Sequence, residues 1–216
     1  MSAPVLHSYW RSSAAYRVRI ALNLKGVAYT QATHDLRTGE QGDPAYLRIA
    51  PHGLVPALEA DGAVLIESPA ILEWIEARWP DPPLLPADPM NAASVRAMAA
   101  LVACDIHPIA NLRILNALRA EFGADDEQVQ GWSRHWIGTG FAALEQLIGR
   151  HGGTYAFGDT PGLADCLIVP QLYNARRVGL NLAPYPRLVA AGDAAAALPA
   201  FAAAHPDRQP DAPAQG

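Results

Sequence analysis

Cysteine is scarce in this sequence, and its scarcity excludes two kinds of stabilisation. The 216 residues include only two cysteines, Cys104 and Cys166, and no Cys-x-x-Cys motif. Isolated cysteines are typical of a protein from a reducing compartment, so we expect no disulfide between them. The same spacing gives no support to a structural metal site, and no metal is expected.

Charge and long apolar runs are also limited. Charged residues make up 17% of the sequence and hydrophobic residues 50%, which excludes a disordered chain. The net charge of −5 argues against nucleic acid or an anionic membrane as a partner, so a basic site would be a local cluster for a small anion. The chain has no apolar run near the roughly 20 residues that span a bilayer, and no secretion-signal pattern at its N-terminus. We therefore expect a cytoplasmic protein.

The residue patterns predict two domains. Strand and helix signals alternate over residues 4–79 in the order β-α-β-α-β-β-α, which indicates a small α/β domain with a mixed sheet. A proline-rich linker follows, and helical periodicity beyond it predicts an all-α domain. By number, the prediction is an α/β domain at 1–80, a linker at 81–90 and an all-α domain at 91–216. The last dozen residues are predicted to form a surface tail.

The segment from Arg11 to Leu22 joins two serines to the start of an apolar helix. It follows a predicted strand at 5–9, and the helix ends at Lys25-Gly26. Ser12 and Ser13 therefore lie at a helix N-terminus, where unpaired N–H groups and the helix dipole favour a negative charge such as a thiolate. The alternative is that Ser12 is only an N-cap, a position that serine favours.

Two further segments of the first domain suit a peptide ligand. Pro56 lies at the start of a predicted strand, where a cis proline would leave the backbone of Val55 facing outward; a plain turn is the alternative. Glu67 and Ser68 open a helix over 68–79, whose free N–H groups attract a carboxylate while Glu67 attracts an ammonium group. A well-formed helix start with no ligand is the alternative there.

In the predicted second domain, polar residues cluster at two places. Asp105, His107, Asn111 and Arg113 surround a proline that disturbs a helix, and Arg176-Arg177 end a later one. Arginine suits carboxylate recognition because its planar group donates through two parallel N–H bonds. Solvation at the surface is the alternative for each arginine, and packing is the alternative for His107.

Two glycine-containing segments are assigned no ligand. Gly162-Leu163-Ala164-Asp165 reads as a helix start in which Asp165 reaches back to unpaired N–H groups. Residues 138–143 superficially match a dinucleotide-binding fingerprint, but they lie within a helical pattern that has no strand before it. Both are therefore interpreted as structural.

Taken together, these residues resemble the glutathione transferase superfamily and, within it, the zeta class. The likeness covers nearly the whole chain through residues 9–13, 17–22, 54–58, 67–71, 84–88, 104–108 and 184–186. The Val-Pro and Glu-Ser elements are general to glutathione-binding domains, whereas the first segment and the Asp-Ile-His-Pro stretch are more specific. The resemblance implies a thioredoxin-like N-terminal domain, an all-α C-terminal domain and a homodimer.

The resemblance also implies a site for glutathione and a small anionic substrate. Ser12 would hydrogen-bond the sulfur, and the helix N-terminus would lower the thiol pKa. The implied glutathione contacts are Ser12, Ser13, His52, Val55, cis Pro56, Glu67 and Ser68, with Val55 pairing with the cysteinyl backbone and the last two holding the γ-glutamyl end. Arg11 and Arg177 would clamp the substrate and act with Ser12 in catalysis. The further substrate contacts would be His107, Asn111, Arg113 and Arg176.

The implied activity is glutathione-dependent cis-trans isomerisation of maleylacetoacetate to fumarylacetoacetate. Isomerisation of maleylpyruvate, and glutathione transfer to small electrophiles such as α-haloacids, are alternatives, as is a glutathione-binding protein without turnover. A single arginine, Arg113 beside Leu112, favours maleylacetoacetate, because the maleylpyruvate enzymes tend to place a second arginine there. Ala14 replaces the usual cysteine of the class, which excludes thiol-disulfide exchange at that position, and Gly162 replaces a usual Ser/Thr cap.

Overall fold

The computed structural model describes residues 3–213 and divides the chain into two compact units. The first consists of Met1–Leu84 with Ala197–Gly216, and the second of Leu85–Ala196. The predicted boundary had placed everything after residue 90 in the second domain. The final segment instead packs with the first unit, because Arg19 and Asn23 donate hydrogen bonds to the carbonyls of Ala204 and Ala200, at 3.1 and 2.9 Å.

The first unit has the predicted order of elements around a mixed sheet. These are β1 (Val5–Ser8), α1 (Ser13–Leu24), β2 (Thr30–Thr33), α2 (Pro44–Leu47), β3 (Ala57–Ala60), β4 (Ala63–Ile66) and α3 (Ser68–Arg78). The sheet order is β2-β1-β3-β4, with β1 parallel to β2 and the other pairs antiparallel. The predicted α/β fold is therefore confirmed.

Two strands begin later than the sequence pattern predicts. The sequence pattern predicts a strand over 27–33. That strand begins at Thr30 instead, because the Val27 N–H closes the end of α1 by donating to Leu22 O at 2.9 Å. The strand expected from residue 55 begins at Ala57, since Pro56 has no N–H to donate to a sheet.

The second unit is all-helical, as predicted. It contains α4 (Pro89–Ala100), α5 (Leu112–Phe122), α6 (Asp126–His151), α7 (Leu163–Arg177) and α8 (Pro186–Ala196). A π-helical segment (Leu101–Ile106) and a 3₁₀ turn (Pro108–Ala110) join α4 to α5. The helical periodicity predicts helices over 163–178 and 186–204. The second of these is divided, because Leu198 is extended before Pro199, which begins α9 (Pro199–Ala204) of the first unit.

One helical stretch, which runs from α4 through the π-helical segment and the 3₁₀ turn to the end of α5, meets a length and composition criterion for a membrane span. Pro89–Phe122 is long and apolar enough to cross a bilayer by length and composition. A single stretch of this kind is weak evidence, because core helices of soluble proteins meet the same criterion.

The predicted C-terminal tail is packed in place as far as the structure describes it. Pro206 and Gln209 are buried, and the Gln209 side-chain amide donates to the carbonyls of Ala203 and His205 at 3.0 and 2.7 Å. These contacts hold the segment against the unit, while Asp207, Arg208 and Pro210 are exposed at its surface. Residues 214–216 of the predicted tail lie outside the described residues.

Candidate active site

Ser12 is the N-cap of α1. Its Oγ accepts a hydrogen bond from the Ala15 N–H at 3.2 Å, and its carbonyl accepts from Tyr16 at 2.9 Å. A hydroxyl that accepts through a lone pair keeps its own proton for donation. The capping role and the predicted thiolate role are therefore compatible. Ser13, the first residue of the helix, is buried beside it.

Arg11 lies on a loop whose backbone is fixed from two sides. The Trp10 N–H donates to Asp211 Oδ2 at 2.8 Å, and the Trp10 carbonyl accepts from Arg19 Nη2 at 3.0 Å. The exposed Arg11 guanidinium stands 5.4 Å from the Trp10 ring centroid, within the range of a cation–π contact. Burial lowers the pKa of Arg19 to about 10, so this anchor stays charged at neutral pH.

The loop before β3 is fixed by Tyr46. Its buried hydroxyl donates to Leu54 O at 2.7 Å, and burial raises the pKa of Tyr46, which keeps the hydroxyl neutral. The next peptide bond, Val55-Pro56, is cis, as predicted. His52 in this loop has Nε2 at 3.7 Å from Glu67 Oε1, and its buried Nδ1 has no partner among residues 3–213.

Glu67 and Ser68 form the start of α3. Glu67 has a φ of +68°, a left-handed conformation that is strained for a residue with a side chain. Its carboxylate side chain is 64% exposed, whereas Ser68 is buried, and Ser68 Oγ accepts a hydrogen bond from Arg17 Nη1 at 3.0 Å. A buried cation below the helix start and an exposed carboxylate above it complement a zwitterionic amino acid group.

In the second unit, three predicted residues follow the π-helical segment. The His107 N–H donates to Val102 O at 2.9 Å, and Asn111 caps α5 by accepting from the Arg113 N–H at 3.2 Å. Trp132 of α6 donates to Ile109 O at 2.9 Å and so fixes the segment between them. π-Helical insertions are frequent at functional sites.

Arg176 and Arg177 form the last turn of α7, where positive charge is favourable to the helix dipole. Both are exposed, and Arg176 Nη2 lies 2.6 Å from Asp193 Oδ1 on α8. Arg176 is therefore already engaged by a carboxylate. Within residues 3–213, no three His, Cys, Asp or Glu side chains are grouped to hold a metal ion.

Sequence reasoning missed Arg17, Arg19 and Tyr46 as residues that position the site. The available signal was the pair of arginines two positions apart within the otherwise apolar α1, both of which prove buried at 1% and 0% exposure. Charged residues at core positions of a helix need partners, and those partners are here the site segments.

Comparisons with known proteins assign the family. Residues 11–78 match the domain described as "Glutathione S-transferase, N-terminal domain", and residues 130–206 match "Glutathione S-transferase, C-terminal domain". The maleylacetoacetate isomerase of Pseudomonas aeruginosa is 53% identical over 212 residues, which cover 97% of this chain and 99% of that protein.

Solved structures agree with the sequence match. The holo structure of maleyl pyruvate isomerase, described as a bacterial zeta-class glutathione S-transferase, has a TM-score of 0.95 and 48% identity, over 97% of this chain and 100% of that one. The maleylacetoacetate isomerase of Anaeromyxobacter dehalogenans with bound GSH has a TM-score of 0.88 and 48% identity, over 98% of each chain. The chain thus belongs to the zeta class of the glutathione S-transferase family.

Proposed function

We propose that this protein is a glutathione-dependent cis-trans isomerase that converts maleylacetoacetate to fumarylacetoacetate. The observation that carries the proposal is the N-terminus of α1, where Ser12 accepts from Ala15 and keeps its proton for a bound sulfur. The names of its relatives point to the same chemistry, since the matched protein of Pseudomonas aeruginosa is a maleylacetoacetate isomerase.

The residues of the first unit fit glutathione. The buried, unpartnered Nδ1 of His52 needs a hydrogen-bonding group that a peptide in this loop would supply. Glu67 and Ser68 would hold the γ-glutamyl end, Val55 the cysteinyl backbone, and Ser12 with Ser13 the sulfur end. When bound, glutathione supplies a thiolate that adds reversibly to the conjugated double bond, so that rotation about that bond becomes possible.

Residues of this chain would stabilise the two negative charges of the reaction, on the sulfur and on the substrate. The Ser12 hydroxyl and the α1 N-terminus stabilise a sulfur anion and lower the pKa of the thiol. Arg11 and Arg177 hold the substrate carboxylates and stabilise the negative charge that develops on the substrate. The further substrate contacts proposed are His107, Asn111, Arg113 and Arg176.

Maleylpyruvate is the second candidate substrate. The match to a maleyl pyruvate isomerase over 97% of the chain supports it, whereas the single arginine at 113, with Leu112 before it, favours maleylacetoacetate. Because both substrates are maleyl carboxylates, the same arginine clamps would serve either one.

We also propose a cytoplasmic homodimer. Neither Cys104 nor Cys166 forms a disulfide within the described residues, which fits a reducing compartment where glutathione is abundant. On α4, Met90 is 75% exposed, and Ala93, Ala97 and Ala100 are exposed too, so this helix presents an apolar surface suited to a second copy. Sedimentation should give twice the chain mass, and Ala97→Arg should shift it to one chain; a wild-type monomer would contradict the dimer.

The activity is tested with the purified protein and three substrates: maleylacetoacetate, maleylpyruvate and dichloroacetate, each with and without glutathione. We expect turnover to require glutathione and to be fastest with maleylacetoacetate. Turnover without glutathione would overturn the proposal. Conversion of dichloroacetate alone would replace it with the transferase alternative.

A further inference from the structure

Arg17 is a buried cation directly beneath the start of α3. Arg17 lies on α1, where Val18 and Ile20 are also fully buried, and only 1% of the residue is exposed. Its Nη1 donates to Ser68 Oγ at 3.0 Å, and this bond joins α1 to α3 through residues that are 51 positions apart. Burying a guanidinium is costly compared with burying a leucine or methionine, so the position calls for a specific reason.

The hydrogen bond fixes the direction of the Ser68 hydroxyl. A serine hydroxyl has one proton and two lone pairs, and a guanidinium can only donate. Because Arg17 occupies an acceptor position of Ser68 Oγ, the hydroxyl proton must be given to another acceptor. The nearby backbone groups at a helix N-terminus are N–H donors, so the matching acceptor is an anionic ligand.

Ser68 is not used to cap its own helix. The N-cap of α3 is Glu67, whose side chain makes no capping hydrogen bond, and Ser68 is the first helical residue. This differs from Ser12, whose Oγ accepts from the helix it begins. Ser68 therefore faces one guanidinium donor inside the unit and has its proton for the ligand.

We propose that Arg17 is a positioning residue for the α-carboxylate of glutathione, acting through the Ser68 hydroxyl and its own buried positive charge. This inference rests on the proposed function, in which glutathione binds with its γ-glutamyl end at Glu67 and Ser68. The exposed Glu67 carboxylate serves the ammonium group. The ammonium group and the carboxylate are thus bound by different residues, and only the binding of the carboxylate depends on Arg17.

Arg19 provides a matched comparison in the same helix. It is buried at 0% exposure and donates to Ser8 Oγ and Trp10 O, both at 3.0 Å, and to Ala204 O at 3.1 Å. None of these partners belongs to α3. A conservative change at Arg19 therefore tests the cost of disturbing a buried arginine of α1 without altering the Ser68 hydroxyl.

The test measures, by calorimetry, the binding of three peptides to the full chain. The peptides are glutathione; glutaryl-cysteinylglycine, which keeps the carboxylate and lacks the ammonium group; and γ-aminobutyryl-cysteinylglycine, which does the reverse. We expect Arg17→Met to raise Kd about tenfold or more for the two peptides with the carboxylate, and to leave the third unchanged. Arg17→Lys should recover part of the loss, because it keeps a charge and a donor.

The controls separate positioning from folding. Arg19→Lys should change all three Kd values by the same factor, and Ser68→Ala should reproduce the selective loss even if Arg17→Met does not fold. Equal losses for the three peptides in Arg17→Met, or no selective loss in Ser68→Ala, would overturn the role of Arg17. A wild-type protein that binds none of the peptides would instead contradict the proposed function.

Discussion

The two units bury polar side chains for different purposes. In the first unit, buried Arg17 and Arg19 donate to the segments that carry the predicted glutathione residues, at Ser68 and at the Trp10 carbonyl. In the second unit, buried Asp165 accepts from the N–H groups of Ala156 and Gly162 at 3.0 and 2.8 Å, where α7 begins. Asp165 of the second unit thus holds a helix start, whereas Arg17 and Arg19 of the first unit hold segments of the candidate site.

This difference between the units suggests that the substrate and glutathione are recognised in different ways. The predicted substrate residues Arg113, Arg176 and Arg177 are exposed, and long exposed side chains adapt to different anions at an entropic cost. Ser68 is instead preset by a buried partner, which lowers the cost of binding one fixed ligand. We therefore expect changes at Ser12, Arg17 and Ser68 to act on glutathione, and changes at the exposed arginines to act on substrate affinity.

The largest predicted effect is a difference in turnover between variants of two helix N-cap residues. Ser12 and Asn111 each accept a backbone N–H at 3.2 Å, in the first and second unit respectively. Ser12→Ala should lower turnover about a hundredfold, because a hydrogen bond to a sulfur anion is lost. Asn111→Ala should cost about 1 kcal/mol of helix stability and raise KM severalfold.

The measurements are steady-state kinetics and the ultraviolet titration of the enzyme-bound thiol, with Ser12→Thr as the control that keeps a hydroxyl. The pKa of the bound thiol should rise in Ser12→Ala and stay unchanged in Asn111→Ala. An unchanged turnover and thiol pKa in Ser12→Ala would refute the role of Ser12.

A second prediction tests whether packing within the second unit holds its site segment. A Cβ at Gly140 of α6 would clash with the side chain of Ile106, at the end of the π-helical segment before His107. Gly140→Ala should therefore destabilise the protein by about 1–3 kcal/mol, as overpacking does. Denaturant unfolding measures this change.

Gly131 is the matched control in the same helix. Its nearest neighbour to a new Cβ is the flexible Arg134 side chain at 3.9 Å, so Gly131→Ala should stabilise by up to about 1 kcal/mol. Ile106→Val in the Gly140→Ala background should restore part of the loss. Equal effects at the two glycines would show that the close approach to Ile106 does not limit the packing of α6.

The features predicted from the sequence were those that depend on local chemistry. The order of strands and helices and the helix start at Ser12 each follow from a few neighbouring residues. The cis bond before Pro56 was instead expected from the family resemblance, because the local residues alone left a plain turn as an alternative. Asp165 was likewise interpreted as a helix-start residue, and it bonds the Gly162 N–H as expected. Residue type and spacing are sufficient for such features because their partners lie close in the sequence.

The features that were missed depend on contacts between distant residues. The bond from Arg17 to Ser68 joins positions 51 apart, and the Trp10 N–H finds Asp211 near the other end of the chain. The packing of the C-terminal segment with the first unit was missed for the same reason. Nothing in the local pattern indicates which distant element a buried arginine will reach.

A third prediction compares arginines of the two units by substrate affinity. Arg11→Met and Arg177→Met should each raise KM for maleylacetoacetate about tenfold, as expected for the loss of one charged contact. Arg176→Met should raise it only about twofold, because Arg176 is paired with Asp193 at 2.6 Å. Steady-state KM values check this, and Kd for glutathione should stay unchanged in the Arg176 and Arg177 variants. A loss at Arg176 as large as that at Arg11 would contradict this ranking.

The smallest effect is an opposite pH dependence of stability in the two units. His34 of the first unit, 2.9 Å from His7 Nδ1, has a pKa below 6.5 through partial burial and the charge of His7. Its contribution to stability is full above pH 6.5 and is lost as pH falls through the folded pKa. Burial raises the pKa of Asp165 in the second unit from 3.8 to about 6, so its contribution is full below pH 3.8 and is lost as pH rises through about 6.

Each pH dependence is isolated by a variant in which the side chain at that position cannot titrate. The Tm of His34→Gln minus that of the wild type should increase as pH falls below 6.5, whereas the same difference for Asp165→Asn should increase as pH rises toward 7. Over this pH range each Tm difference should change by a few degrees at most, because 1 kcal/mol of unfolding free energy shifts Tm by on the order of 2–4 °C in a chain of this size. Asp165→Asn also loses a backbone acceptor, which lowers its Tm at every pH but leaves the slope to report the titration. Two difference curves that slope in the same direction would contradict the opposite roles of burial at these two groups.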